Sequence, residues 1–546
     1  MRMRNSKNNF GSAVYLSKME KPMKFLLLIS AITVCTESAK ILVVSPGSSK
    51  SHGILGDGYV RLLLNAGHEV TYITPFAYKK HSANLRIVDT SSNFEKSPAI
   101  VMDIKGIMDN KFDKSDNIGL SLMMLDIVKK TIIHENVQKL LNDPTEHFDV
   151  VIVEWMFGDI GAGFASVFEC PLIWSATLDP HWNILKLMDE PSNPAYSVDI
   201  KSTYSPPLNF LQRVKELWNQ LKVQFLRYVW LDGFEENMYT SLFTPILEKR
   251  GRKLPSFYEA RYNASLLLSN AYVTTSGGAS LPQSHKFVGG YHIDDTVEPL
   301  SENLKKIMDN AKDGVIYFSM GTILRSKDLP NEVKISLLKM FGSLKQTVLW
   351  KFEEVLPNLP KNVHILQWAP QQAILAHPNL AIFITHGGLL STTESIHYGV
   401  PIIAIPVFGD QFLNVDRSVN KGFALKVDLA YTMADELEKK IVEITSNKRY
   451  AEKAKELSFI HHDRPVKPGQ ELVHWVNHVM NTRGAPHLRS PALDQPFYKR
   501  KFLDLAALLA VLLLAVYIML KQALAYICSR VCAKKQKTGS KKKKNN

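Results

Sequence analysis

In "FITHGGLLSTTES", Phe383–Ser395, an apolar run breaks into His386, Gly387 and Gly388, then into hydroxyl residues and Glu394. A strand that passes through two glycines into a helix leaves backbone N–H groups unpaired at the positive end of the helix dipole. Such a terminus binds phosphate. The glycines let an anion approach the backbone, and His386 adds a donor. Glu394 can accept bonds from ribose hydroxyls. Upstream, "ILQWAPQQAIL" brings Trp368 and Gln371 to another strand end, where an exposed indole offers a stacking face to a base. Downstream, "PIIAIPVFGDQ" carries Asp410 and Gln411. No G-x-G-x-x-G follows the first strand, and no G-x-x-x-x-G-K-[ST] occurs anywhere, so hydride transfer and kinase-type chemistry lose ground.

The candidate proton acceptor is His52, in "SPGSSKSHG" after the first apolar run. An imidazole titrates near neutral pH and suits general-base work. On residue type alone a solvated loop histidine is the simpler reading of His52, as a capping or turn aspartate is of Asp410. His474 and His478 stand four apart, as zinc ligands can. No Glu follows the first as in H-E-x-x-H and no third ligand is evident, so a solvated helix face accounts for them. No metal site is expected.

These residues need rigid elements behind them. Residues 40–75 read strand, helix, strand: "KILVVSP", "DGYVRLLLNAGH", "EVTYITP". "FDVVIVE" and "PLIWSA" continue the pattern. It restarts at residue 314 with "GVIYFSMG", "TVLWKF", "VHILQW", "AIFITHGG" and "PIIAIPV". Two doubly wound α/β halves follow, joined near Gly289-Gly290, with ligands beyond the strand ends in the cleft between them. Between 205 and 234 the pattern is interrupted. Leu208, Leu211, Val214, Leu217, Leu221, Phe225 and Tyr228 recur at helical spacing, with basic residues and Trp218 and Trp230 interleaved. Two readings stand: a helix on a membrane face, or an amphipathic helix packed on its own domain.

The 546 residues carry a net charge of +14, with 45% hydrophobic and 22% charged residues. Residues 1–24 hold +5 of the charge and 521–546 hold +9, which leaves the body neutral. The basicity reads as membrane topology, and no nucleic-acid partner is expected. Residues 1–39 fit a secretory signal peptide, with Met19 or Met23 as alternative starts. "FLDLAALLAVLLLAVYIML", 502–520, spans roughly 28 Å as a helix, close to the bilayer core. The basic tail, 521–546, places itself in the cytosol and the body in the lumen. Cys170 is the one cysteine of the body, so no disulfide framework is expected there. Asn263-Ala264-Ser265 is a glycosylation acceptor sequence.

Phe383–Gln411, with Phe-Ile-Thr-His-Gly-Gly, Ser391, Glu394, Pro401, Pro406 and Asp410-Gln411 in order, resembles the complete signature of the UDP-glycosyltransferase family. "FVGGYH", "WAPQ", "DRPVKPG", "GAPHLRSPALD", the apolar span and Lys543-Lys544 near the end extend the likeness along the chain. The style is that of animal, insect-type membrane-bound UDP-glucosyltransferases and UDP-glucuronosyltransferases. The resemblance implies an α/β, GT-B fold: two Rossmann-like doubly wound domains facing a cleft, plus a C-terminal transmembrane helix. The domains would be 40–288 for the acceptor and 289–485 for the UDP-sugar, with a juxtamembrane segment at 486–501. It implies that Trp368 stacks on uracil, that Gln371 bonds it, and that His386 with the Gly387 and Gly388 amides holds the diphosphate. Ser319 and Thr322 would approach the phosphates, Glu394 the ribose, and Asp410 with Gln411 the sugar. His52 would be the base, with Glu154 as partner where the family usually has Asp, and Asp159 as a fallback. The implied reaction is inverting transfer from a UDP-sugar, glucose favoured over glucuronic acid, to a hydroxyl of a small lipophilic acceptor. UDP-sugar is a co-substrate and no cofactor is expected. The implied place is the endoplasmic reticulum membrane, single-pass type I, with the catalytic domains lumenal and a dilysine signal behind, as a possible homo- or hetero-oligomer. The alternative is a catalytically silent member that binds UDP-sugar or partner transferases and regulates them.

Overall fold

Runs such as Ile41–Val44 and Val150–Val153 are apolar on both faces and are buried to within 2%. Strands of that kind are stable only inside a parallel sheet covered by helices on both sides. The computed structural model describes residues 38–78, 80–93, 104–109, 117–189, 192–294, 296–322, 324 and 326–542. The signal segment up to residue 37 and the Lys543-Lys544 pair lie outside the described residues.

The first sheet is built from β1 (Lys40–Val44), β2 (Glu69–Thr74), β3 (Leu85–Asp89), β4 (Val150–Glu154), β5 (Leu172–Ala176), β6 (Ala264–Ser269) and β7 (His285–Phe287). Its order is β3-β2-β1-β4-β5-β6-β7, parallel throughout. The second holds β8 (Val315–Ser319), β9 (Thr347–Lys351), β10 (Val363–Leu366), β11 (Leu380–Thr385), β12 (Ile402–Ala404) and β13 (Ala424–Lys426). Its order is β10-β9-β8-β11-β12-β13, again parallel. Both orders reverse beside the first strand of the sheet, the switch point at which doubly wound sheets open a crevice. The joint between the halves needs its glycines: a Cβ on Gly289 would sit 2.5 Å from the Ala271 carbonyl oxygen, and Gly290 has φ +95°.

The halves exchange elements. The helix Pro468–Asn481 follows the second sheet in the chain but returns to the first. Its Leu472, Val476 and Val479 join a core with Ile41, Val43 and Ile152. Conversely Ile104 and Ile107 pack into the second core beside Ile316 and Phe318. Across the cleft Arg417 pairs with Asp179 at 2.6 Å, and the Lys421 ammonium donates to the Thr274 and Thr275 carbonyls at 2.5 and 2.7 Å.

The segment 205–234 forms a helix, Phe210–Leu226, that runs into a π-helical turn, Arg227–Leu231. Its apolar stripe from Leu211 to Tyr228 faces outward rather than onto its own domain, whereas Leu208, just ahead of the helix, is buried with Val198 and Leu413. At the C-terminal end the helix Leu503–Lys542 stands clear of the body, and Leu503–Lys534 within it is long and apolar enough to cross a membrane. This stretch extends beyond the 502–520 expected from hydropathy. No other helix among the described residues meets that criterion.

Candidate functional site

Parallel strands put their carboxyl ends on one side, and the two sheets turn those ends toward each other. A cavity of about 910 Å³ lies between them. From the first half it is lined by Lys50, His52, Asp57, Trp155 and Phe157, among others. From the second come Ser319, Thr322, Trp368, Gln371, His386 and Gly388, and also Ser391, Glu394, Asp410 and Gln411. All the sequence-predicted donor and base positions except Gly387 and Glu154 thus face one space.

His52 sits in the first turn of the helix Lys50–Asn65, just beyond β1, not in a solvated loop. Its Nδ1 is bonded to Glu154 Oε1 at the end of neighbouring β4. Glu154 is held in turn: its Oε2 accepts from Ser45 Oγ at 3.0 Å and from the Gly47 amide at 3.3 Å. The longer Glu arm therefore reaches the imidazole while two bonds fix its other oxygen. Burial alone would lower the His52 pKa, but the Glu154 charge and hydrogen bond more than offset it. The pKa is raised above 6.5, with a further contribution from Asp410. Gly47 is required where it is, because a Cβ there would lie 2.5 Å from His52 Cβ. Asp159, the fallback partner, is engaged elsewhere: it is bonded to Arg261 and accepts from Trp155 Nε1 at 2.8 Å.

His386 lies between β11 and the helix Leu389–Tyr398, whose N-cap is Gly388. The two neighbouring glycines do more than admit an anion. A Cβ on Gly388 would lie 2.6 Å from His386 Nε2, so the imidazole occupies the space that this glycine leaves. Gly321, at φ +84°, gives up the same space on the other side of the ring. Gly387, at φ +79°, lies against Val415. Burial, helped by the Lys351 cation, lowers the His386 pKa to about 4, so the ring is neutral at physiological pH and offers an N–H rather than a charge.

Gln371, Ser391 and Glu394 form one cluster. The Gln371 amide donates to Glu394 Oε2 at 2.6 Å and to Ser391 Oγ at 3.3 Å, and Tyr317 donates to Gln371 Oε1 at 3.2 Å. Trp368 is half exposed, with the Lys50 ammonium 4.4 Å above its ring. Burial pushes the Asp410 carboxyl up to about 6, against a 2.6 Å bond from the Asn414 amide. Gln411 spends its carbonyl oxygen on the Val407 and Phe408 amides at 2.8 and 3.2 Å, which leaves its NH₂ for the cavity. Ser319 Oγ accepts from the Gly321 amide at 3.3 Å. A base-stacking face, a helix N-terminus, carboxylates and a carboxylate-paired imidazole therefore share one cleft.

The family model described as "UDP-glucoronosyl and UDP-glucosyl transferase" matches residues 39–538. The chain belongs to the UDP-glycosyltransferase family. It is 32% identical to UDP-glucosyltransferase 2 of Dactylopius coccus over 93% of this chain and 96% of that one. It is 28% identical to UDP-glucuronosyltransferase 1A1 of Rattus norvegicus over 92% and 95%. Among solved structures, the calicheamicin glycosyltransferase CalG4 covers 83% of this chain and 100% of its own, with TM-score 0.53 and 17% identity. That likeness shows the GT-B fold. The chain is therefore an enzyme that transfers a sugar from a UDP-sugar to an acceptor.

Sequence reasoning missed several residues that line or brace this glycosyltransferase cleft. Lys50 and Lys351 are cations at Trp368 and His386. Lys351 ends β9 and donates to the Gly321 carbonyl at 2.9 Å. His292 follows Gly289 and Gly290 at the joint between the halves and brings Nε2 within 3.3 Å of Glu394 Oε1. The place of His292 two residues after Gly290 was the available signal for it. The lysines had none beyond standing near strand ends. Asn263 is exposed at the end of the helix Phe257–Tyr262, whereas Ser265 of the same triplet is buried in β6.

Proposed function

We propose that this enzyme performs inverting transfer of a hexosyl group, glucose in preference to glucuronic acid, to a hydroxyl of a small lipophilic acceptor. The observation that carries the reading is the His52–Glu154 pair opening on the same cleft as His386 and the Leu389–Tyr398 helix N-terminus. With Nδ1 taken by Glu154, Nε2 is the nitrogen left to take the acceptor proton. The acceptor oxygen then bonds the anomeric carbon from the face opposite UDP as the bond to the diphosphate breaks. Negative charge on departing UDP meets the free amides of the helix terminus and the His386 N–H. Trp368 stacks on uracil with Gln371 bonding it. Glu394 takes the ribose, Asp410 and the Gln411 NH₂ take the sugar, and Ser319, Thr322 and Ser391 border the phosphates. Two relatives bear names that include glucosyltransferase, one of them from an insect, which supports glucose. The apolar helix and basic tail support a single-pass type I chain in the endoplasmic reticulum membrane, with the cleft lumenal.

The test is product mass after incubation with a panel of phenols and equimolar UDP-glucose and UDP-glucuronic acid. The expected product is the hexoside. A glucuronide would overturn the sugar assignment, and no glycoside from any UDP-sugar would favour the silent, regulatory reading.

The role of Glu154 is separable by pH. Its charge raises the His52 pKa, and the free base is the active form, so kcat/KM falls as pH drops through that raised value. In Glu154→Gln burial is opposed only by the smaller contribution of Asp410, so the acid limb moves to lower pH. The plateau rate falls by on the order of a hundredfold or more as ring orientation is lost. A pH–rate profile of both proteins checks this; an acid limb that does not move would separate Glu154 from the base.

A further inference from the structure

The helix Phe210–Leu226 and the π-helical turn after it are inside out. Glu216 faces inward, accepting from the Asp199 amide at 2.8 Å and from Ser202. Gln220 donates to the Ser192 carbonyl at 3.3 Å, and Arg227 pairs with Glu235 at 2.9 Å. Meanwhile Leu211, Val214, Trp218, Leu221, Phe225 and Tyr228 recur along the outward face, with Trp218 65% and Tyr228 85% exposed. Polar groups in and apolar groups out reverses the ordinary burial preference, and a continuous exposed apolar row marks a surface that is covered by lipid or by a partner. The exposed charges of the stretch, Arg213, Lys215 and Lys222, are all positive, and its one acid, Glu216, is buried.

Two further observations say what covers this face. Asp189, a few residues before the loop that receives Gln220 and Glu216, accepts from Ser490 Oγ at 2.5 Å. Ser490 lies shortly before the membrane-spanning stretch that begins at Leu503. The segment that leads into the chain's own anchor is thus tied to Asp189, just ahead of the loop on which this helix rests. Under the π-helical turn lies a small cavity of about 30 Å³, with Val223, Leu226 and Trp230 on its outer side. Phe157 and Ile200 line it on the inner side and also line the catalytic cleft.

We propose that Phe210–Leu231 lies in the interfacial layer of the membrane, its basic residues on the phosphates of the lipid headgroups, and that lipophilic acceptors pass from that layer beneath Trp230 to the cleft at Phe157. The passage rests on the acceptor reading proposed above; the membrane contact does not. Amphipathic helices of this polarity bind interfaces through buried apolar area, with their cations at the headgroup level.

The test uses the full chain in vesicles of phosphatidylcholine and phosphatidylserine. Cys35, Cys170, Cys528 and Cys532 are replaced by alanine, and an environment-sensitive nitrobenzoxadiazole dye is placed through Trp218→Cys or, as a control, Glu438→Cys. Brominated phospholipids should quench the dye at 218 severalfold more than at 438. Equal quenching overturns the membrane contact. Shielding from aqueous iodide without lipid quenching, together with cross-linked chain pairs, assigns the face to a second copy and overturns it too. For the passage, Val223→Phe should raise KM about tenfold for a membrane-partitioning phenol and leave KM for UDP-sugar and a water-soluble phenol unchanged. Equal effects on both phenols overturn the passage. A wild type that glycosylates nothing overturns it along with the acceptor reading, while the quenching result still decides the membrane contact.

Discussion

His52→Ala is expected to lower kcat on a phenolic acceptor by roughly 10²- to 10⁴-fold, the range spanned by a positioned general base. The donor should still bind normally, because the residues proposed to hold UDP come from the second half and do not touch His52. Folding should be little affected: the His52 side chain is about a quarter exposed, and its removal leaves Glu154 with its Ser45 and Gly47 bonds. UDP release and UDP binding by calorimetry, measured on both proteins, separate these effects. Equal turnover would place the base elsewhere, and lost UDP binding would mean that the side chain works through the fold.

Gly388→Ala is the second large effect. The backbone there, φ −64° and ψ 149°, suits alanine, so the substitution is not a test of glycine conformation. The added Cβ meets the His386 ring at 2.6 Å, and the ring cannot retreat across Gly321, where space is equally limited. The imidazole must swing out of its seat. Losing one hydrogen bond to a charged group costs about 1.5–3 kcal/mol, or roughly a ten- to hundredfold loss in kcat/KM for the donor. The phenol KM should hold. Because the nearest clash is with a side chain, the melting temperature should change little. Unaltered donor kinetics would mean that His386 does not meet the diphosphate.

The architecture was legible because buried parallel strands are written as short apolar runs, and "KILVV", "VVIVE", "VIYFS" and "LAIFIT" are such runs. Their order in the sheets follows from connection rules, which the repeated strand–helix grammar invokes. Motif residues were legible as types at strand ends. What the chain did not disclose was contact. Whether Glu154 could reach His52 depended on the backbone path through Ser45 and Gly47, which residue identity does not encode. The glycines of "THGG" read as room for an anion; that one of them seats the imidazole depends on how the His386 ring folds back over Gly388. Helical spacing in 205–234 revealed a stripe but not which way it faced. The outward turn is set by Glu216 and Gln220 finding partners in the loop 192–202, far from them in sequence. The return of Pro468–Asn481 to the first core was hidden for the same reason.

The central claim is that an acceptor oxygen, relieved of its proton by His52, attacks the anomeric carbon from the side opposite a diphosphate held at His386. Proton NMR of the glycoside formed from UDP-α-glucose and a phenol reads this directly. The account predicts a single β-linked product. An α-linked product, or a mixture of anomers, would contradict it.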